Sequence, residues 1–330
     1  MWCAWRIRAT LALGLPIALA AWATAASAQS APPAWPQRTV RFLLPLGPGS
    51  GVDVTARLLQ DHLSKRWGQP VVIENRPGGD GIVAIGAFVN AQDDHILLFS
   101  PSSSFTAHPY LHDNLPYKPA DLGPIARVSN TIIAISTPSG LPVQSLDELF
   151  KLARAQPGKL NWAGVTGALD FLFQSFLKST NLDMAKVPYR NAVDAANDLA
   201  EARIHVYRSA YAIIRPQVQA GKAKILALSN SARAQAVPQI PTVAEVGYPD
   251  LTIDGLVGLF GPPSMPMALR QRIAADIKDV IESTPVFAER LTLTGQFVNP
   301  GGPEEFGVSI EQQRATLAAA AKHLGVAAKQ

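Results

Sequence analysis

The sequence predicts an α/β protein of two lobes, each a mainly parallel sheet flanked by helices, with a ligand cleft between them. Three observations predict it. Strand-like and helix-like segments alternate along most of the chain. Glycine-rich turns follow several of the strand-like segments, where ligands of such sheets bind. About 300 residues beyond the N-terminal leader imply two domains or one large one, two being the better reading.

Residues 1–28 hold Arg6 and Arg8, an apolar run over 9–23 and the small-residue ending Ala26-Ser27-Ala28. This is the pattern of a secretory signal peptide cleaved after Ala28, which places the protein in the periplasm. No later stretch is apolar for long enough to span a bilayer. Cys3 is the only cysteine and precedes the apolar run, so the exported chain is expected to have neither thiol chemistry nor disulfides. Losing Arg6 and Arg8 takes the formal charge from +4 to +2. No basic patch remains to favour nucleic acid.

Residues 29–36, QSAPPAWP, lack periodicity and read as a linker. A first lobe begins over 37–130, with strands near 39–45, 70–74, 95–99 and 124–129 and helices over 52–66 and 81–91. A second lobe occupies 131–228: a strand over 131–136, an N-capped helix over 146–155, strands at 160–163, 184–188, 204–209 and 223–229, and helices at 169–179, 191–201 and 212–219. Residues 229–330 return to the first lobe. There the irregular passage 230–252 wraps back across it, followed by a strand over 255–261 and helices over 266–282, 284–294 and 303–323.

Two turns stand out. Gly47, Gly49, Ser50, Gly51 and Asp53 join a buried strand to an amphipathic helix, and the unpaired N–H groups at that helix start suit a carboxylate. Asp53 itself reads better as a scaffold for the loop, because carboxylates repel. Gly78, Gly79 and Asp80, followed by Gly81, repeat the device after the second strand. Asp80 would select an amine on the ligand or cap the helix. Ser100, Ser102 and Ser103, with Ser104, form a third strand-end loop, rich in hydroxyls. The second lobe offers Thr166, Gly167 and Asp170, then Tyr189 and Arg190, then Ser209 with Tyr211. Arg190 suits a second carboxylate through its planar fork. Arg208 falls on the opposite strand face from Ser209 and is left out.

Several motifs resemble those of the substrate-binding receptors of tripartite tricarboxylate transporters, the Bug-type proteins. They are Val40 to Asp53, Gly68 to Gly79, Leu115-Pro116-Tyr117, Val187-Pro188-Tyr189-Arg190 and Pro241 to Gly247, in order along the mature chain. The resemblance implies a type II-like two-lobed periplasmic binding protein with no enzymatic activity and no cofactor, acting as a monomer. It would bind a di- or tricarboxylate, an aromatic acid or an amino acid and deliver it to membrane permease subunits. The departure at Ala168-Leu169-Asp170-Phe171, more apolar and more acidic than many relatives, leaves the ligand open.

Other chemistries find less support. His108 and His112 are four apart, yet Pro109 falls between them and no acid completes the set, so no metal is expected. The spacing of Gly47 to Gly51 does not fit a dinucleotide loop. No Gly-x-Ser-x-Gly elbow is present. A secreted hydrolase of a small ester or amide, and a ligand sensor for a membrane kinase, are the alternatives.

Overall fold

In a computed structural model, which describes Trp2 and residues 35–164, 167–189 and 191–329, the chain builds two sheets. Apart from Trp2, the expected signal peptide lies outside these residues, as does most of the linker. The first sheet starts with β1 (Val40–Leu44), α1 (Gly51–Trp67), β2 (Val71–Asn75), α2 (Ile82–Ala91) and β3 (Ile96–Pro101). The serine-rich stretch, expected as a loop, forms two short helices, α3 (Ser103–Thr106) and α4 (His108–Leu111). Then β4 (Gly123–Thr131) runs to the edge of the second sheet.

That sheet begins with β5 (Ile133–Pro138), followed by α5 (Leu146–Ala155), β6 (Asn161–Gly164), α6 (Gly167–Ser179), β7 (Ala185–Lys186), α7 (Ala192–Ala200), β8 (Val206–Ala210), α8 (Tyr211–Gln219) and β9 (Ala223–Leu228). The chain returns through β10 (Gly255–Gly261), α9 (Met267–Ser283), α10 (Val286–Leu293), β11 (Gln296–Gly301) and α11 (Pro303–Leu324).

The strand orders are β11-β4-β10-β3-β1-β2 and β7-β6-β8-β5-β9. Both sheets are mixed, which corrects the mainly parallel expectation. Three of the five pairings in the first sheet and two of the four in the second are antiparallel. The reason is the crossing. β5 and β10 each enter their sheet from the other lobe and β11 starts beside the crossing, so these three run away from it. The remaining strands run towards it, and their carboxyl ends meet between the lobes.

Two further differences have simple causes. β11 lies between the helices expected over 284–294 and 303–323, where the sequence reading places no strand. Its Asn-Pro-Gly ending is tolerated because the strand lies at a sheet edge, where a missing N–H costs no ladder bond. Residues 230–252 were expected across the first lobe and pack instead on the second. Leu228, on edge strand β9, bridges Thr242 in parallel; its N–H donates to Pro241 O and its carbonyl accepts from Val243 N–H. Val243 and Leu251 then bury completely in the second core with Trp162, Phe173 and Phe150.

Each lobe is held by its own apolar layers. Phe42 and Phe99 stack at 6.0 Å in the first, and Trp162 meets Phe173 edge-on at 4.9 Å in the second. Helix α11 serves both. Phe306 and Ile310 bury in the first lobe, while Leu317, Ala320 and Ala321, further along the same face, pack with Ala168, Leu169 and Leu172 of α6.

The crossing itself is one residue wide. Fully buried Ile132 separates β4 from β5. Asn230, also fully buried, spans it: its Nδ2 donates to Thr131 O at 2.9 Å and its Oδ1 accepts from Ile133 N–H at 2.8 Å. The returning chain presses so close that a side-chain carbon on Gly255 would stand 2.7 Å from Thr131. Asn230→Ala leaves two buried backbone groups without partners. It is expected to lower stability by about 1–3 kcal/mol, read by urea unfolding; an unchanged midpoint would show that the crossing does not depend on this carboxamide.

Candidate functional site

The carboxyl ends of β1, β3 and β4 face that of β8 across an interlobe cavity of about 170 Å³. Its lining includes Leu46 and Val52 from the first glycine turn, Ser103, Leu169 of α6, Ile213 of α8 and Ile253. The cavity wall is therefore largely apolar, with the first glycine turn, between Leu46 and Val52, at its rim.

The first turn is organised by Asp53. Its side chain is almost fully buried. One oxygen accepts from Gly49 N–H at 2.9 Å and from Arg57 Nε at 3.0 Å, and the other accepts from Asn75 Nδ2 at 3.0 Å. Burial pushes the Asp53 carboxyl up, but Arg57, the Gly49 amide and Asn75 outweigh it and hold it below the ordinary value. Ser50 caps α1 by accepting from Asp53 N–H. The next two amides of α1, on Gly51 and Val52, have no acceptor within the helix, as at every helix start. Gly51 packs tightly, since a side chain there would strike Gln296.

In the second turn Gly78, Gly79, Asp80 and Gly81 have φ of 132°, 55°, 56° and 92°. A run of four such residues requires glycine or a residue with a short polar side chain. The turn brings Asp80 Oδ2 within 3.4 Å of Nε2 on both His108 and His112. The expectation that no acid accompanies this histidine pair is thus corrected: sequence spacing could not reveal an acid 28 residues upstream on another loop. Burial pushes the Asp80 carboxyl up, but the two imidazoles prevail and hold it below its ordinary value. A side-chain carbon on Gly167, at the start of α6 in the other lobe, would stand 3.6 Å from Asp80 Oδ2 and strike Leu111. The two lobes meet here.

The remaining expected residues divide. Ser103 lines the cavity. Ser100 and Ser102 are fully buried, and their hydroxyls donate to Pro101 O at 3.0 Å and Gln313 Oε1 at 2.6 Å. Ser209 is fully buried in β8. The Tyr189 hydroxyl donates to Asp198 Oδ2 at 2.6 Å, reaching along α7; burial first, and the Asp198 carboxylate next, push it up to about 12. Thr166 and Arg190 lie outside the described residues.

Asp170 sits in the first turn of α6, 2.5 Å from Lys186 Nζ. Its carboxyl is raised, because burial outweighs the attraction of Lys186 and Arg208. Arg208, as strand alternation predicts, turns to the α6 side, fully buried, and donates to Leu169 O at 2.8 Å and Ser229 Oγ at 3.1 Å. Burial brings its guanidinium down to about 10. Sequence reasoning missed Leu169, Ile213 and Ile253 as lining residues. Each reads as ordinary core, and only the approach of the second lobe gives them a cavity to face.

The model of the "Tripartite tricarboxylate transporter family receptor" matches residues 55–306. The chain belongs to this receptor family. Protein BugT of Bordetella pertussis (strain Tohama I) is 30% identical over 293 residues, covering 84% of this chain and 89% of BugT. Among solved structures, one described as a periplasmic transporter is 26% identical with a TM-score of 0.73, over 88% of this chain and 98% of its own. R. palustris Rpa4515, solved with adipate, is 24% identical with a TM-score of 0.74, over 89% and 99%. MatC of Rhodopseudomonas palustris, solved with malate, is 24% identical with a TM-score of 0.71, over 86% and 99%. The last two support the two-lobed binding-protein fold.

Asp53 and Asp170 give opposite pH signatures. Asp53 titrates lower folded than unfolded, so its stabilisation is present at neutral pH and lost as pH falls through the folded value. Asp170 titrates higher when folded, so stability falls as pH rises from 3.8 through that raised value. Asp53→Asn is therefore expected to lower Tm at pH 7, with the deficit shrinking in acid. Asp170→Asn is expected to gain on the natural protein as pH rises through the same region. Tm profiles from pH 3 to 7 read both; parallel profiles for all three proteins would refute the assignments.

Proposed function

We propose that this receptor is a periplasmic solute-binding protein that takes a small carboxylate between its lobes, closes by hinge rotation and delivers it as a monomer to membrane permease subunits. The observation that carries the reading is an interlobe cavity lined by both flanks of the first glycine turn, Leu46 and Val52, and by Leu169 of α6, with the second glycine turn meeting the start of α6 between the lobes. Helix starts and glycine turns expose N–H groups, and a carboxylate is the anion they suit. The adipate and malate of the solved relatives agree with this ligand class.

The binding contacts would come from the turn of Gly47, Gly49, Ser50 and Gly51, from Gly78 and Gly79, from Ser103, from Gly167 with Thr166 just before it, and from Arg190. Asp53, Ser100, Ser102 and Ser209 would support this set from beneath. The apolar lining from Leu46, Val52, Leu169, Ile213 and Ile253 favours an acid with a hydrocarbon body. Closure would turn about the crossing at Ile132, where the chain between the sheets is shortest, and α11 would limit its range because it packs on both lobes.

Thermal unfolding against a panel of aliphatic, aromatic and amino acids tests the ligand class. A ligand at about 100 times its Kd adds about 2.7 kcal/mol, a shift of several degrees. Small-angle scattering with that ligand should show a smaller radius of gyration; an unchanged radius at saturation would refute closure. Gly47 has neither a left-handed φ nor a neighbour within 4 Å, so nothing in the fold requires glycine there. Gly47→Val is expected to keep Tm within about 1 °C, as for surface substitutions in general, while weakening the acid at least tenfold. Retained affinity would remove this residue from the site.

A further inference from the structure

Asp80, His108 and His112 offer three donor atoms that all lie within 4.8 Å of one another. Asp80 Oδ2 stands 3.4 Å from each imidazole Nε2. That is long for a hydrogen bond. It matches two donors bound to one tetrahedral ion, which at about 2.0–2.1 Å from the metal stand about 3.3–3.4 Å apart. The rings meet edge to face at 4.9 Å between centroids, so both edges reach the same point.

The surroundings add independent support. His108 is fully buried, and its Nε2 has no hydrogen-bond partner at normal distance. Its Nδ1 is held by the Tyr117 hydroxyl, the kind of outer contact that fixes the orientation of a metal-bound imidazole. Among the described residues, no lysine or arginine forms an ion pair with Asp80. The left-handed backbone of Asp80, φ 56°, aims its carboxylate at the pair instead of at a helix cap.

A second trio shows what a purely structural cluster looks like. Asp93, Asp94 and His95 are equally close together, yet their donors are taken up. His95 Nδ1 lies 2.6 Å from Asp94 Oδ1, its Nε2 accepts from Gln37 N–H at 3.1 Å, and Asp93 pairs with Arg38 at 2.7 Å. Nothing there waits for a ligand.

We infer that Asp80, His108 and His112 form a three-donor site for a divalent cation of the zinc class on the first-lobe wall of the cleft. Three protein donors leave a fourth position open. The start of α6 at Gly167, where a side-chain carbon would stand 3.6 Å from Asp80 Oδ2, brings the second lobe to this cluster, so a carboxylate held between the lobes would complete the shell. This last step rests on the proposed receptor function, whereas binding of the cation does not.

The test is calorimetric titration of untagged, chelator-stripped protein with zinc chloride. One equivalent is expected to bind. His112→Gln and Asp80→Asn should each weaken it at least tenfold, and His95→Gln should leave it unchanged. Both site variants should fold: His112 is partly exposed, and asparagine tolerates the left-handed backbone at position 80. Absence of saturable binding, equal affinity in both variants, or loss only in His95→Gln would overturn the site. Repeating the acid panel with zinc and with chelator separates the second step. A carboxylate whose affinity rises with zinc would support the completed shell. Equal affinity in both would refute it and leave the receptor reading standing, and a panel silent in both would count against the receptor reading alone.

Discussion

The structure depends on the passage of the chain between lobes at Thr131-Ile132-Ile133. A single buried residue joins the two sheets, and the carboxamide of Asn230 satisfies the backbone groups on either side of it. Buried backbone groups without partners are costly, so any turn about this join has to keep both of these bonds. It also dictates strand direction. Strands β5 and β10, arriving from the other lobe, and β11 begin at the crossing, and the rest end there, which gathers the turns of both sheets around one cleft.

The cleft combines two kinds of surface. Its rim is backbone, shaped by glycines and organised by Asp53, whose carboxylate holds Gly49, Arg57 and Asn75 together. Its interior is side chain, chiefly aliphatic. Beneath the second lobe's half lie Asp170, largely covered, and Arg208, fully buried, both shifted in the directions that burial demands. Neither is available to solvent as a free charge. The turn after β2 differs: Asp80 comes forward to two imidazoles, at the point where α6 approaches from the opposite lobe.

The fold was legible in large part because its elements carry strong local signals. Ser50 before α1, Ser145 before α5 and Asn191 before α7 each cap a helix with a side-chain oxygen, and the βα rhythm is regular. What escaped was decided by neighbours. β11 is a strand because β4 offers it an edge. Residues 230–252 follow the second lobe because β9 does the same at Leu228. For the candidate site, the glycine turns were visible, whereas the hydroxyls of Ser100, Ser102 and Tyr189 proved to be engaged within the fold. A serine pattern gives no sign of which face will be covered.

By itself, the sequence determined the two-lobed α/β class, most element positions, the glycine-rich turns at strand ends and the family motifs. These are local properties, set by periodicity, capping and backbone freedom within a few residues. Only the tertiary structure decided the mixed strand directions, the helix α11 shared by both lobes, the aliphatic cavity and the meeting of Asp80 with His108 and His112. Each of these joins residues far apart in the chain, and such contacts follow from how the elements pack rather than from any one segment.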